Sequence, residues 1–173
     1  MRSIFTTAVT AAVLASAVVL AIPGASAAQE ASEDEQRVTH VLDELHDAAS
    51  KADFERYFGV YAENAIFLGT DATERWTRSE FMEYAKPHFD RGRGWTYLPI
   101  ERHVYVSEDG STAWFDERLD NEGLGETRGS GVLILEGVDW KVAQYNLTIP
   151  IPNALAGKVV QQIRANNEAD NQE

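Results

Sequence analysis

The sequence predicts an α+β domain in which N-terminal helices are wrapped by a strongly bent antiparallel sheet that forms a cone-shaped barrel. Three observations predict it. Apolar residues recur at helical spacing early in the chain, segments rich in β-branched and aromatic residues follow one another with short loops in residues 111–150, and a last helical pattern follows them. Helices followed by hairpins indicate an α+β architecture, and a sheet bent around a helix leaves its wide end unfilled as a pocket.

Capping signals mark where the early helices begin. Ser32 with Glu35, and Thr77 with Glu80, have the spacing of a capping box, and Asp53 can cap a short helix between them. The first helix carries one apolar stripe, made by Val38, Val41, Leu42, Leu45, Ala48 and Ala49. The short helix has an aromatic face made by Phe54, Tyr57, Phe58 and Tyr61.

The strands follow from composition and turn residues. Pro99 predicts a bulge or an edge because proline cannot donate to a ladder, and residues 107–110 predict a hairpin turn. Asn153 can cap the C-terminal helix. The strands are predicted at residues 65–69, 95–106, 111–120, 128–135 and 140–150.

The N-terminal segment predicts export to the periplasm or the extracellular space. Residues 1–27 combine a single basic residue, an apolar run and a small-x-small end, the pattern of a signal peptide. The alternative is a retained membrane anchor, for which the length of the apolar run is only marginally sufficient. Residues 28–36 are predicted to be a flexible arm, 37–166 the folded domain and 167–173 a disordered tail.

Charge and cysteine content exclude several classes of protein. The chain carries a formal net charge of −13, which becomes −14 if Arg2 leaves with the signal peptide. This balance argues against nucleic acid and, after cleavage of the signal peptide, against a membrane surface as partners. The chain has no cysteine, so stability must come from an ordinary packed core and a lipid-anchored lipoprotein is excluded.

Strict alternation along the last strand predicts two polar pocket residues. It places Gln144 and Asn146 on the same face as Trp140 and Val142, so that a cavity closed by apolar residues becomes polar at its mouth. Both amides can orient a polar group of a ligand. The alternative is that they only satisfy neighbouring side chains.

Glu117 and His103 are the candidate catalytic residues. Glu117 shares a face with apolar neighbours, so its carboxylate is predicted to turn inward, where it must be paired or protonated. Arg102 and Arg128 on neighbouring strands are its candidate partners, with Arg128 also in the pocket. An unpaired Glu117 would suit acid or base work, and His103 could act as a base. A structural ion pair is the alternative for Glu117, and a satisfied structural group for His103.

Aromatic residues supply the rest of the predicted pocket. A cavity lined by several of them favours a ligand that is apolar or ring-containing with one polar edge. No metal site is predicted, because His40 and His46 are too far apart around the helix to share an ion, and Asp43, His46 and Asp47 are predicted to lie on its solvated side. The pocket aromatics are Tyr57, Phe67, Trp76, Phe89 and Trp95.

The chain resembles the SnoaL-like branch of the nuclear-transport-factor-like (cystatin-like) superfamily. The resemblance rests on the order of elements, on residues 67–70 followed by Trp76, and on 113–115, 128–133 and 140–148. It implies a cone-shaped α+β barrel, frequently dimeric through the outer sheet face, in a family of cyclases, isomerases, dehydratases and proteins without known chemistry. Related chains often end the last strand with histidines, which this chain lacks.

Three functional hypotheses result. The first is an exported domain that binds a small, partly apolar molecule without a cofactor, as a homodimer through the outer sheet face. The second is a cofactor-independent isomerase, dehydratase or cyclase that uses acid-base catalysis. The third is a dimeric association module whose pocket is vestigial.

Overall fold

The computed structural model describes residues 31–170, so the predicted signal peptide, residues 1–27, lies outside the described part. The elements are, in chain order, α1 (Glu33–Ser50), α2 (Phe54–Gly59), β1 (Tyr61–Leu68), β2 (Arg75–Thr77), α3 (Arg78–Phe89), β3 (Leu98–Val106), β4 (Thr112–Asn121), β5 (Gly125–Glu136), β6 (Asp139–Thr148) and α4 (Asn153–Asp170).

Helix starts follow the capping signals. Ser32 and Glu35 form a complete capping box at α1, Thr77 and Glu80 form another at α3, and the Asp53 side chain accepts from an amide of α2. Because α1 begins at Glu33, residues 33–36 are helical and do not belong to a flexible arm. Residues 167–170 likewise continue α4 and are not part of a disordered tail.

The six strands form one curled sheet in the order β2-β1-β6-β5-β4-β3, which confirms the predicted α+β class. Every pairing is antiparallel except that of β1 with β6, which is parallel. The purely antiparallel sheet of the prediction is therefore wrong at this one ladder. The chain leaves α2 directly into β1, which lies beside β6 and runs in the same direction.

Two irregularities shape the sheet. The pairing of β3 with β4 shifts register between Pro99 and Glu101, which confirms the bulge predicted at Pro99. In β6, Val142 and Gln144 pair with neighbouring residues of β5, so Ala143 is an extra residue opposite that strand. This second bulge reverses the alternation of β6 from Gln144 onward.

Helices α1 to α3 pack against the inner face of the sheet and build one core. Leu42 and Ala48 of α1 and Leu133 and Val142 of the sheet are fully buried. Gly94 lies between α3 and β3, and a Cβ there would overlap the carbonyl oxygen of Ala49. This close approach ties the segment that carries Trp95 to the end of α1.

Helix α4 projects much of its apolar side into solvent, with Leu155, Val160 and Ile163 all exposed. Within residues 31–170, no helix has the length and apolar character needed to cross a membrane.

Candidate functional site

A cavity opens between the end of β1, β2, α3 and the segment just before β3. Its volume is about 150 Å³. We call it the mouth cavity. It is lined by Phe67, Gly69, Thr70, Glu74, Trp76, Phe81, Tyr84, Trp95, Tyr97 and Leu147.

A small crevice continues the mouth cavity inward. Its volume is about 20 Å³, enough for one water molecule. We call it the floor crevice. It shares four lining residues with the mouth cavity, so the two spaces adjoin. The remaining residues of its wall are Leu45, His46, Ala49, Tyr57 and Tyr145.

Glu117 stands at the centre of a buried hydrogen-bond network next to the floor crevice. Its side chain is fully buried and faces inward, as the alternation of β4 predicts. Oε1 accepts from Nε2 of His46 and from the hydroxyl of Tyr145, both at 2.8 Å. Oε2 accepts from Nε of Arg102 at 2.7 Å. The carboxylate therefore has three donors and no open face for a ligand.

The position of Arg102 follows from register. Arg102 lies directly opposite Glu117 in the β3–β4 ladder, and its side chain is 9% exposed. Its Nη1 also reaches Asp43 of α1 at 2.7 Å, so the guanidinium links the sheet to the helix. The predicted ion pair between Glu117 and Arg102 is present in the structure.

The charges of the network keep Glu117 ionised. Burial by itself would raise the pKa of Glu117, but the hydrogen bond and charge of His46 and those of Arg102 more than offset it, so the pKa lies below the usual value of 4.5. Burial, followed by the negative charge of Glu117, raises the pKa of the Tyr145 phenol well above 10.0. Tyr145 therefore stays a neutral hydrogen-bond donor.

Gly129 leaves the space that the side chains of Glu117 and Tyr145 occupy. This glycine lies opposite Glu117 in β5, and a Cβ there would overlap the hydroxyl oxygen of Tyr145 and lie 2.8 Å from Oε1 of Glu117. Only glycine at this position lets the Tyr145 hydroxyl and the Glu117 carboxylate come together above β5.

His46 is the functional candidate that the sequence interpretation missed. The sequence predicts it on the solvated side of α1, but in the structure it is 7% exposed and hydrogen-bonded to Glu117. An ionised Glu117 needs a donor, so Nε2 of His46 carries a proton, and in the neutral tautomer that this bond selects Nδ1 is the basic nitrogen. Its spacing from Leu42 and Ala49 places it on the buried stripe, which was the signal available.

Of the five aromatic residues predicted for the pocket, four line at least one of the two spaces and one supports the wall from behind. Phe67, Trp76 and Trp95 line the mouth cavity, and Tyr57 lines the floor crevice. The hydroxyl of Tyr57 lies 3.1 Å from that of Tyr61. Phe89 lines neither space: it is buried and packs edge-on against Trp95, with ring centroids 4.9 Å apart.

The predicted face of Gln144 and Asn146 is wrong. The bulge at Ala143 turns Tyr145 and Leu147 inward and leaves Gln144 exposed and Asn146 half-buried on the outer face. Asn146 borders a shallow outer depression beside β2 and does not line the mouth cavity. The amides therefore do not make the polar part of the cone interior.

His103 and Arg128 also lie on the outer face, which contradicts their predicted places in the site. His103 is opposite Asp116, is half exposed and lies 3.3 Å from Glu101. Arg128 is opposite Arg118 and not Glu117, so it is exposed and cannot pair with the buried carboxylate. Because side chains alternate between the two faces of a strand, both His103 and Arg128 point away from the interior.

Other parts of the described chain do not compete with this site. A wider groove of about 540 Å³ lies between α1 and the β5–β6 hairpin. The Arg37 and Lys141 side chains that line it already form hydrogen bonds with other groups of the protein. Arg37 bonds Asp34 and a carbonyl, and Lys141 donates to a carbonyl at 2.7 Å. Within residues 31–170, no group of three or more histidine, cysteine or acidic residues could hold a metal ion.

Comparison with known folds defines the class of the protein. A cystatin-like protein of unknown function from Nostoc punctiforme has a TM-score of 0.58 at 12% identity, over 69% of this chain and 93% of that one. A candidate dehydratase of the NTF2-like family from Streptomyces avermitilis has a TM-score of 0.59 at 14% identity, over 69% and 97%. These similarities show a cystatin-like, NTF2-like fold.

The family follows from the sequence itself. Residues 38–152 match the model of the SnoaL-like domain, and the chain belongs to this family. A candidate calcium/calmodulin-dependent kinase II association domain from Exiguobacterium sibiricum shares the fold, with a TM-score of 0.55 at 16% identity over 72% of this chain and 99% of that one. No curated protein matches the chain.

Proposed function

We propose that this SnoaL-like domain binds a small, partly apolar molecule of about the size of one ring in the mouth cavity. The observation that carries the proposal is a cavity of about 150 Å³ walled by aromatic side chains. An engineered apolar cavity of about 150 Å³ in another protein binds benzene. Aromatic walls offer the same ligand a stacking surface.

The floor crevice gives the ligand a polar partner. His46 and Tyr145 line it, and the Glu117 network holds both side chains in place. A ligand body in the mouth cavity can direct one polar atom, or a bound water, toward Nδ1 of His46. This arrangement supports an apolar ligand with a single polar edge.

A matched pair of tryptophan variants tests the proposal. Trp76 lines the mouth cavity, whereas Trp114 is exposed on the outer sheet face. With phenol and cyclohexanol as probes in calorimetric titrations, Trp76→Leu should weaken binding by roughly two- to tenfold, the loss of one aromatic contact. Trp114→Leu should bind like the unmodified protein. Saturable binding of neither probe, or equal effects of both variants, would contradict the proposal.

A second candidate is a cofactor-independent acid-base enzyme, an isomerase, dehydratase or cyclase. The observation that favours it is the buried His46–Glu117 pair beside a crevice that holds about one water. Nδ1 of His46 would take a proton from substrate or water, and Glu117 would fix the tautomer and stabilise the imidazolium. The fold is shared with a candidate dehydratase.

His46→Asn separates the two candidates. A binding protein should keep the affinity of the tightest probe within a few-fold, while an enzyme should lose turnover of that compound and still bind it. His103→Asn serves as the control, because His103 lies on the outer face. Turnover that survives in His46→Asn at the rate of the control would exclude His46 as the base.

We also propose that the chain is exported and pairs with a second copy through the outer sheet face. The rings of Tyr105 and Trp114 stack there at 5.7 Å, and both are nearly half exposed. One structural neighbour is a candidate kinase II association domain, which supports pairing of this fold with other copies. Light scattering should give a dimer mass that Trp114→Glu lowers to a monomer, and N-terminal sequencing of secreted protein should start near residue 28.

A further inference from the structure

We propose that the mouth cavity selects an organic cation with a compact methylated ammonium head, for which Glu74 is the counter-ion. The inference rests on the proposed ligand-binding function and names the class of ligand.

Glu74 brings an unbalanced negative charge to the mouth cavity. It is the one charged residue among the ten that line this space, and it is half-buried. Oε2 accepts from the amide of Asp71 at 3.1 Å. Within the described residues, Glu74 forms no ion pair with lysine, arginine or histidine, so its charge is available to a ligand.

The aromatic rings around Glu74 keep part of their surface open to the cavity, although Trp76 also stacks on Tyr84 at 4.8 Å. Trp76, Tyr84, Trp95 and Tyr97 line the same space and are partly exposed. The cation–π contact found within residues 31–170 joins Lys86 to Phe54, outside this cavity. Aromatic faces combined with a nearby carboxylate form the kind of site that binds alkylated ammonium groups.

The charge of Glu74 acts on the cavity interior. Burial raises the pKa of the Tyr97 phenol, and the negative charge of Glu74 raises it further. The same field opposes an anionic ligand and favours a cationic one. The formal net charge of −13 adds long-range attraction for cations.

The size of the space matches a compact head. About 150 Å³ accommodates a trimethylammonium group but leaves little room for a large ring system. Methyl groups on the nitrogen present an apolar, weakly hydrated surface to the rings, whereas a primary ammonium stays strongly hydrated. Choline is therefore the appropriate probe.

The test compares choline with 3,3-dimethylbutan-1-ol, which replaces the charged nitrogen by carbon and keeps the shape. Calorimetric titration of the protein at low salt should show choline binding roughly tenfold or more tightly than the neutral compound. Raising the salt concentration should weaken choline binding and leave the neutral compound unchanged.

Glu74→Gln removes the charge and keeps an oxygen that can accept from the Asp71 amide, so the fold should persist with an unchanged melting temperature. The preference for choline should then fall to about twofold or less. Glu83→Gln is the control, since Glu83 is exposed on α3 and lines neither space. It should keep the full preference.

The outcomes separate this inference from the proposed function. If the neutral compound or phenol binds as tightly as choline, or if Glu74→Gln behaves like Glu83→Gln, the cation selectivity is wrong and the binding pocket remains. If no probe, charged or neutral, binds saturably, both proposals fail.

Discussion

Glu117→Gln is the most informative perturbation of the buried network. The amide oxygen can still accept from His46 and Tyr145 where Oε1 does so now. The amide nitrogen then faces Nε of Arg102, which the carboxylate meets at 2.7 Å, so one charge-assisted bond is replaced by two opposed donors. Such a bond contributes about 1.5–3 kcal/mol, and breaking a buried pair costs about 3–5 kcal/mol.

We therefore expect Glu117→Gln to lower the free energy of unfolding by about 2–4 kcal/mol, measured by urea denaturation at neutral pH with the slope checked for two-state behaviour. Asp43→Asn is the matched control, because Asp43 pairs with the same Arg102 at 2.7 Å but its side chain is 59% exposed. Its loss should be below about 1 kcal/mol. Equal losses in the two variants would refute the central role of Glu117.

The pH dependence gives the same prediction a second readout. The folded-state pKa of Glu117 is lower than the usual value of 4.5, so its contribution is fully present above that value and is lost as pH falls through the folded-state pKa. The stability difference between the unmodified protein and Glu117→Gln should shrink as pH falls below 4.5. A difference that grows on acidification would contradict the sign.

The remaining predictions concern the glycine under the network and a helix start. Gly129→Ala should lower stability by about 1–3 kcal/mol because its Cβ overlaps Tyr145, whereas Gly123→Ala, whose nearest contact is 3.6 Å, should change little in the same denaturation assay. Ser32→Ala removes the capping hydroxyl of α1 and should cost about 1 kcal/mol, read from the melting temperature; no change would mean that the cap is unimportant.

Much of the fold was predictable because local signals and tertiary packing agree. Both capping boxes, the Asp53 cap and the bulge at Pro99 lie where residue chemistry alone places them. The inward direction of Glu117 followed from its neighbours on one strand. These features depend on a few residues that are close in sequence, and nothing distant overrides them.

The site was less predictable because it depends on contacts between distant segments. His46 and Glu117 are 71 residues apart, and only the packing of α1 on the sheet brings them together. The choice of Arg102 over Arg128 depends on strand register, since Arg102 is opposite Glu117 and Arg128 is opposite Arg118. The alternation of side chains along single strands predicts neither the contact of His46 with Glu117 nor the choice of Arg102 as its partner.

Neither the parallel pairing of β1 with β6 nor the three-residue β2 had a readable pattern in the sequence. A three-residue strand is too short for a periodicity, and its pairing with Phe67 and its neighbours is visible only in the folded chain. Yet β2 carries Trp76 into the wall of the mouth cavity, and the loop before it carries Glu74.

Ala143 shows how one backbone insertion can change the chemistry of a whole compartment. If Ala143 took a regular place in the ladder instead of bulging, the second half of β6 would shift by one position, and two carboxamides would replace a phenol and an isobutyl group inside the cone. Whether one extra residue is absorbed as a bulge therefore decides the entire inward lining of the strand in one step, which no single substitution achieves.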